Sequence, residues 1–487
     1  MTHMLTRRGR LLGVLLLGLG LALSSLRSEA AHDIRGITGP TFNLYAFPMN
    51  ISLPEGSSMY MWAFGDMDAG ANATHPEGAG YNRPQYPGPT LIVNQGDTVT
   101  INLTNFGVPQ PVSLVVTGHN VSAAGGAVGL LTNTSSNPSQ TVSYTFTAAE
   151  PGTYIYHSLD GANPGLHVEM GLLGALIVRP TGYDAATNRI AYGPNTPYDQ
   201  EFLYLLTEID PIVHLELERG HFNHFTHSDR FPTIYLVNGR VFPDLFQSDY
   251  NSVYPNQPYQ ALAQGHPGDR VLVREVNAGQ DAHPFHHHGE NLRFIARDGR
   301  LLTTTTLPDG SPDPLGVPNL GRSDNTLNSE PKQTVDMLWT WTGKDLNWDI
   351  YGPVNTACTD ANNDMADDTT GAMCHDDSCI DLVDNRSGAA TPDGFDDFNF
   401  EYCADHGKAL PVTLPGVQDL TVGGWWSGSP FMGDVGALPP GEGGLNPFGG
   451  YFFVWHSHNE KELTTFDIFP GGSLSAVVVL PPYVDIQ

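Results

Sequence analysis

Two histidine-rich segments, far apart in the chain, hold the residue types best suited to chemistry. One is His283-Pro-Phe-His286-His287-His288-Gly289; the other is Trp455-His456-Ser457-His458. Side chains two residues apart on an extended strand point to the same face. His286 and His288 therefore form one imidazole pair and His456 and His458 a second, while His287 turns the opposite way. Two such pairs on neighbouring strands make a pocket of neutral nitrogen donors, a set that suits copper, zinc, iron or nickel. A lone His-x-His is more often a surface or packed histidine than a ligand. Two of them, one inside a His-Pro-x-His-x-His-Gly frame, favour a metal.

Other polar clusters carry less. His221, His224 and His227 recur every third residue, and an exposed polar linker is the plainer reading of them. Asp360, Asn362, Asp364 and Asp368 place oxygen side chains much as the start of a calcium loop does, but the usual glycine and closing glutamate are missing. Calcium and a solvated acidic loop are both open there. Cys358, Cys374, Cys379 and Cys403 fall in one stretch and outside the histidine segments. In an exported protein they are expected to form two disulfides of unknown connectivity.

The elements that must position the histidines are short strands. Charged residues make up only 15% of the 487, while Gly (54) and Pro (38) are plentiful, as in an all-β chain with many turns. One series of β-rich runs covers Ser58–Phe64, Leu91–Leu103, Val112–Thr117, Thr141–Thr147, Thr153–His157 and Gly174–Val178. A second begins at Glu201–Glu208 and runs through Arg270–Val276, Leu292–Ala296 and Thr334–Thr342 to Phe452–His456 and Leu474–Val479. Each series suits a Greek-key sandwich. The expected organisation is a signal peptide over 1–31, one sandwich domain over 32–182, and a second over 183–487. An acidic, cysteine-bearing insertion at about 352–419 interrupts the second. The first 31 residues read as an export signal: Arg7, Arg8 and Arg10, then an apolar run from Leu11 to Leu23 too short to span a bilayer comfortably. A secreted or periplasmic location is expected, with no membrane span. The formal net charge of −30 argues against a nucleic-acid partner.

The histidine segments resemble the copper-ligand motifs of the multicopper oxidases. Gly152-Thr-Tyr-Ile-Tyr-His157-Ser, Gly171-Leu-Leu-Gly-Ala-Leu-Ile-Val-Arg-Pro180 and Pro87-Gly-Pro-Thr are similar to further motifs of that family. The resemblance implies two cupredoxin-like domains and a histidine-held copper cluster. It maps the retained cluster ligands onto His157, His286, His288, His456 and His458, with His283 as a weaker candidate from the family's type 1 copper set. The chain departs from the pattern where electrons would enter. Ser457 stands at the type 1 cysteine, Glu462 at the histidine five residues on and Asp467 at the axial methionine. The alternative site in the first domain, as in the copper nitrite reductases, would have Ser158 for cysteine and Leu172 for methionine, with only His167 kept. Val115, Thr117 and Leu159 replace three cluster histidines.

The functional expectation is an exported copper-binding protein of this family. It would hold one or two histidine-ligated coppers, lack type 1 copper, and act as an oxidoreductase on a small-molecule reductant. The alternatives are a non-catalytic protein that sequesters or delivers copper ions, and a structural β-protein with vestigial sites. Substrate, turnover and homo-oligomeric state stay open.

Overall fold

A computed structural model describes residues 32–68, 83–136, 140–159, 163, 165–222, 229–343 and 450–480, with shorter stretches between 349 and 446 and at 484–486. The expected signal peptide, Cys374, and Asp360, Asn362 and Asp364 of the expected calcium loop lie outside the described residues.

Among the described residues, four larger β-sheets are stacked face to face, beside two small two-stranded ones. The outer sheet of the first sandwich runs, in spatial order, Ser58–Asp66, Thr41–Ser52, Thr98–Asn105, Thr141–Thr147 and Ser122–Ala124. Its inner sheet runs Ile37–Thr38, Leu91–Asn94, Leu173–Arg179, Gly152–His157 and Val115–Val116. The second sandwich has an inner sheet built on Ile234–Val237, Gln200–Ile209, Val271–Asn277, Thr334–Trp339 and Leu292–Arg297. Its outer sheet runs Leu262–Gly265, Leu474–Val479, Tyr451–Ser457, His283–His287 and Thr326–Ser329. Both sandwiches mix parallel and antiparallel neighbours, as crossed Greek-key connections require. The fold is all-β and cupredoxin-like.

Alternation along the strands separates three main cores from two smaller apolar clusters among the described residues. Phe42, Leu44, Trp62, Ile101, Tyr144 and Tyr156 fill the first sandwich. Phe285, Phe294, Met337, Trp339, Phe453 and Trp455 fill the second. Ile155, Ala175 and Ile177 meet Leu203, Leu205 and Leu236 between the two inner sheets, so the sandwiches share a buried apolar interface. That interface is pinned by charge. Arg179 pairs with both carboxylate oxygens of Glu201, at 2.6 and 2.7 Å, and Arg274 joins Glu201 to Asp336. Thr153 of the first sandwich donates to the same Asp336 at 2.6 Å. Groups this deeply buried are costly unless paired, so the network ties the sandwiches to one relative orientation.

Some expected strands differ. The run Leu91–Leu103 is broken at Gln95-Gly96-Asp97, where Gly96 takes φ +92° and turns the chain into a second strand. Val112–Thr117 contracts to Val115–Val116, because Val112 and Ser113 are held by side-chain and bridge contacts outside a ladder. The longest strand of the first sandwich, Thr41–Ser52, was absent from the expected series; Pro48 and Asn50 blur its alternation. In the insertion, Cys379 is bonded to Cys403, and Cys358 is also in a disulfide.

Candidate metal centre

The strands His283–His287 and Tyr451–Ser457 are antiparallel neighbours, with His286 paired to His456 and Phe285 to Ser457. Phe285, His287 and Trp455 point into the core. His286, His288, His456 and His458 point to the outer face of the outer sheet. The pleat accounts for the division. Gly289 ends the first segment at φ +99°, and a Cβ there would lie 3.1 Å from both Phe453 and Trp339. The closing glycine of the motif is thus what lets the chain turn away directly after His288.

On that face one nitrogen each from His286, His288 and His456 lies within 4.8 Å of the others. Metal–nitrogen bonds of about 2 Å span roughly 4 Å at most, so side-chain adjustments of under about 1 Å would close the set. His458 is exposed, and its ring centre is 5.0 Å from that of His286 and 5.8 Å from that of His456. It stands beside the three as an adjustable fourth donor.

The rings are oriented from behind. Nδ1 of His456 is 2.7 Å from the carbonyl oxygen of Ser457. A carbonyl only accepts, so this nitrogen carries the proton and Nε2 presents a lone pair. Nδ1 of His286 lies 2.6 Å from the Thr326 hydroxyl, and its Nε2 is buried with no hydrogen-bond partner. Nε2 of His288 is 3.1 Å from Nε2 of His456, so a proton donated by His288 bridges the two rings. Burial and the neighbouring imidazoles push the pKa of His286 down to about 3; burial first also lowers that of His456. The His286 and His456 rings, backed by a hydroxyl and a carbonyl, suit a nitrogen-ligated cation, which would replace the proton shared between His288 and His456. The residues present fit a copper ion.

His157 is placed elsewhere. It lies outside this group of nitrogens, buried at the end of strand Gly152–His157 beside Lys332 and the Ser158 carbonyl. Within one chain, then, the first sandwich does not bring His157 to the cluster, because the side chain follows the inner sheet toward the second sandwich. His283 also departs from expectation. Its Nε2 is 2.9 Å from Glu208 and its Nδ1 is 2.8 Å from Glu462, both fully buried contacts. Burial opposes its charge, but the two carboxylates outweigh this and raise its pKa to about 10. With both ring nitrogens bonded to carboxylates, His283 stands outside the group of converging nitrogens. Glu208 in turn accepts from Arg230 and from the backbone of Gln280, and these bonds with His283 overcome its burial and lower its pKa to about 2.

Hydrogen bonds likewise occupy the other type 1 positions. Ser457 accepts from the Asn459 amide at 3.1 Å, and Asp467 sits in an exposed turn at φ 61°. In the first sandwich, His167 lies 3.2 Å from the Gln110 amide oxygen through Nε2 and 2.8 Å from the Ser158 hydroxyl through Nδ1. The oxygen of Gln110 can only accept, so Nδ1 of His167 accepts from Ser158. Met170 and Leu172 are core residues nearby. Neither place retains a thiolate or a free imidazole, and type 1 copper does not fit. Thr117, at a lost cluster position, accepts from the Ile155 amide at 3.0 Å, and the Leu159 carbonyl accepts from Ser113.

Two of the remaining candidates, His221 and Asp368, are described and have other contacts. Exposed His221 contacts Glu216 at 2.8 Å; His224 and His227 lie outside the described residues. Asp368 of the expected calcium loop accepts from the Ala361 amide at 2.9 Å. Sequence reasoning missed Thr326, Glu208 and Arg230. Each meets the histidines only through a strand or turn remote in the chain, and no local spacing signals it.

Residues 69–182 match the family model described as multicopper oxidase. No curated protein matches. Among solved structures, a blue copper oxidase from Nitrosomonas europaea is 15% identical, covering 90% of this chain and 85% of its own, at a TM-score of 0.46. The multicopper oxidase mgLAC is 15% identical over 92% of this chain and 87% of its own, also at 0.46. A copper nitrite reductase from Nitrosomonas europaea is 19% identical over 62% of this chain and 85% of its own, at 0.41. With TM-scores below 0.5, these likenesses add nothing to the chemistry of the site. The chain resembles the multicopper oxidases, with degenerate copper-ligand positions.

Proposed function

We propose that this multicopper-oxidase-like chain binds copper through His286, His288 and His456, with His458 as an outer ligand, and uses that histidine-only site in redox chemistry. The observation that carries this reading is the convergence of three imidazole nitrogens within 4.8 Å, one of them buried without a partner. Copper bound there would supply a one-electron redox centre open to solvent on the His458 side. The protein's own contribution is orientation. The Ser457 carbonyl and the Thr326 hydroxyl fix which nitrogen of His456 and His286 faces the ion. The core residues Phe285 and Trp455 brace the two strands from beneath.

A second reading has its own support. Both type 1 positions are closed by serine, glutamate and glutamine hydrogen bonds, so no built-in relay leads electrons to the site. Copper sequestration or delivery without turnover fits that arrangement. Export to a secreted or periplasmic location accords with the basic and apolar N-terminus.

Copper titration of the metal-free full chain tests the proposal. The wild type should take up about one copper per chain, with several nitrogen couplings in its electron paramagnetic resonance spectrum. His456→Ala with His458→Ala should weaken uptake by at least about a hundredfold, while His221→Ala should not. Unchanged copper content and spectrum in the double variant would overturn the assignment. Oxygen consumption with a small reductant then separates oxidase from carrier.

A further inference from the structure

A cleft of about 650 Å³ opens where the two sandwiches meet. Three turns form it: residues 118–120 after strand Val115–Val116, residues 149–151 before strand Gly152–His157, and residues 298–300 of the second sandwich. Close backbone contact fixes these turns together. A Cβ on Gly152 (φ +141°) would lie 2.7 Å from the Gly299 Cα, and one on Gly299 (φ +71°) would lie 2.2 Å from the Tyr154 ring. The Tyr154 hydroxyl shares its proton between the carbonyl oxygens of Glu150, at 3.1 Å, and Gly299, at 3.4 Å, so it fastens a turn from each sandwich. The cleft is therefore preformed, as small-molecule sites usually are, and its volume lies in their range.

Several groups on its walls have hydrogen-bonding capacity left. Nδ1 of His119 lies 2.9 Å from the Thr117 carbonyl oxygen, so that nitrogen carries the proton and Nε2 keeps a lone pair. Burial lowers the His119 pKa and keeps the ring neutral. The Asn120 side chain is exposed, and no partner claims its amide among the described residues. Glu150 and Arg300 feel each other's charge, yet among the described residues neither side chain forms an ion pair or a hydrogen bond. Asp298 and Asp309 also line the cleft but are already engaged, by the Thr334 amide at 3.0 Å and by Ser311.

The open groups are of both kinds. Arg300 donates, Glu150 and His119 accept, and Asn120 does both. A simple anion would gain Arg300 but face Glu150; a simple cation would gain Glu150 but face Arg300. A hydroxyl both donates and accepts, so a neutral molecule bearing several of them can use every one of these groups. Pro312 and Pro314 add apolar surface in the same cleft, suited to the C–H face of a saturated ring. From the preformed cleft and its mixed, unspent donors and acceptors, we infer that the junction of the sandwiches binds a neutral polyol, about the size of one or two sugar rings. The site is independent of copper, since none of its lining residues belongs to the histidine group.

NMR titration of the copper-free full chain with D-glucose, D-galactose and D-mannose tests this. Tetrahydropyran-2-methanol, which keeps the ring and one hydroxyl, is the control. At least one hexose should bind at least about tenfold more tightly than the control, which leaves charged wall groups unmet. Asn120→Ala with Arg300→Ala should weaken that hexose about tenfold or more. Both side chains are exposed, so thermal unfolding of the double variant should match the wild type. No binding of any hexose, or equal binding of hexose and control, would overturn the polyol assignment. Hexose binding untouched by the double variant would place it elsewhere and overturn the site. Glucuronate or glucosamine binding more tightly than the hexoses would make charge the basis of recognition and overturn the neutral class.

Discussion

Replacing Glu462 with glutamine tests the idea that an ion cluster has taken the place of a metal in the second sandwich. The substitution keeps the shape and one hydrogen bond but removes one of the two carboxylates that clamp His283. Clamping raises the His283 pKa from 6.5 to about 10. At about 1.4 kcal/mol per unit, that shift corresponds to roughly 5 kcal/mol of preference for the protonated ring in the fold. Sharing it between the two carboxylates assigns about 2 kcal/mol to Glu462, in line with the few kcal/mol lost on breaking buried pairs. A group whose pKa is raised on folding lends stability that is complete below its unfolded value and is lost as pH rises through its folded value. The deficit of Glu462→Gln should therefore stay full from pH 6 until pH reaches the variant's lowered His283 pKa, roughly 1.5 units below the wild-type value, and vanish past about 10. Urea unfolding followed by tryptophan fluorescence reports on the right sandwich, since Trp339 and Trp455 lie in its core. A deficit below about 0.5 kcal/mol at pH 6, or one that does not shrink by pH 10, would refute the reasoning.

Two other outcomes are expected. Thr326→Val should weaken copper binding about ten- to a hundredfold without changing stoichiometry, because it frees the His286 ring to rotate while leaving all three donors; isothermal titration checks this. Copper-loaded protein should lack the intense absorption near 600 nm of a type 1 site, since Ser158 and Ser457 replace the thiolates and Cys358, Cys379 and Cys403 are in disulfides; a strong blue band in the visible spectrum would contradict this.

Much of this arrangement is legible in the chain. Alternation separates Phe285 and Trp455 from His286 and His456 before any fold is known, because a strand's side chains change face at every residue. The same period sets His287 apart from its neighbours, and it packs in the core against Phe285 and Trp455. The serines at 158 and 457 and the glutamate at 462 announce that type 1 copper is missing, since a hydroxyl or buried carboxylate is no thiolate. The sequence could not show what those residues do instead. Glu208 and Glu462 are 254 positions apart, and only the packing of strand Gln200–Ile209 near the turn after Ser457 closes them on His283. Nor could it place His157. A motif names a ligand type, but the sheet that carries His157 faces the other sandwich, and that face is chosen by the apolar interface between the inner sheets. The Thr326 hydroxyl behind His286 depends on strand register, which the 39 intervening residues do not specify. Local periodicity thus determined which histidines share a face. Long-range packing decided which of them meet, and which had already found carboxylates.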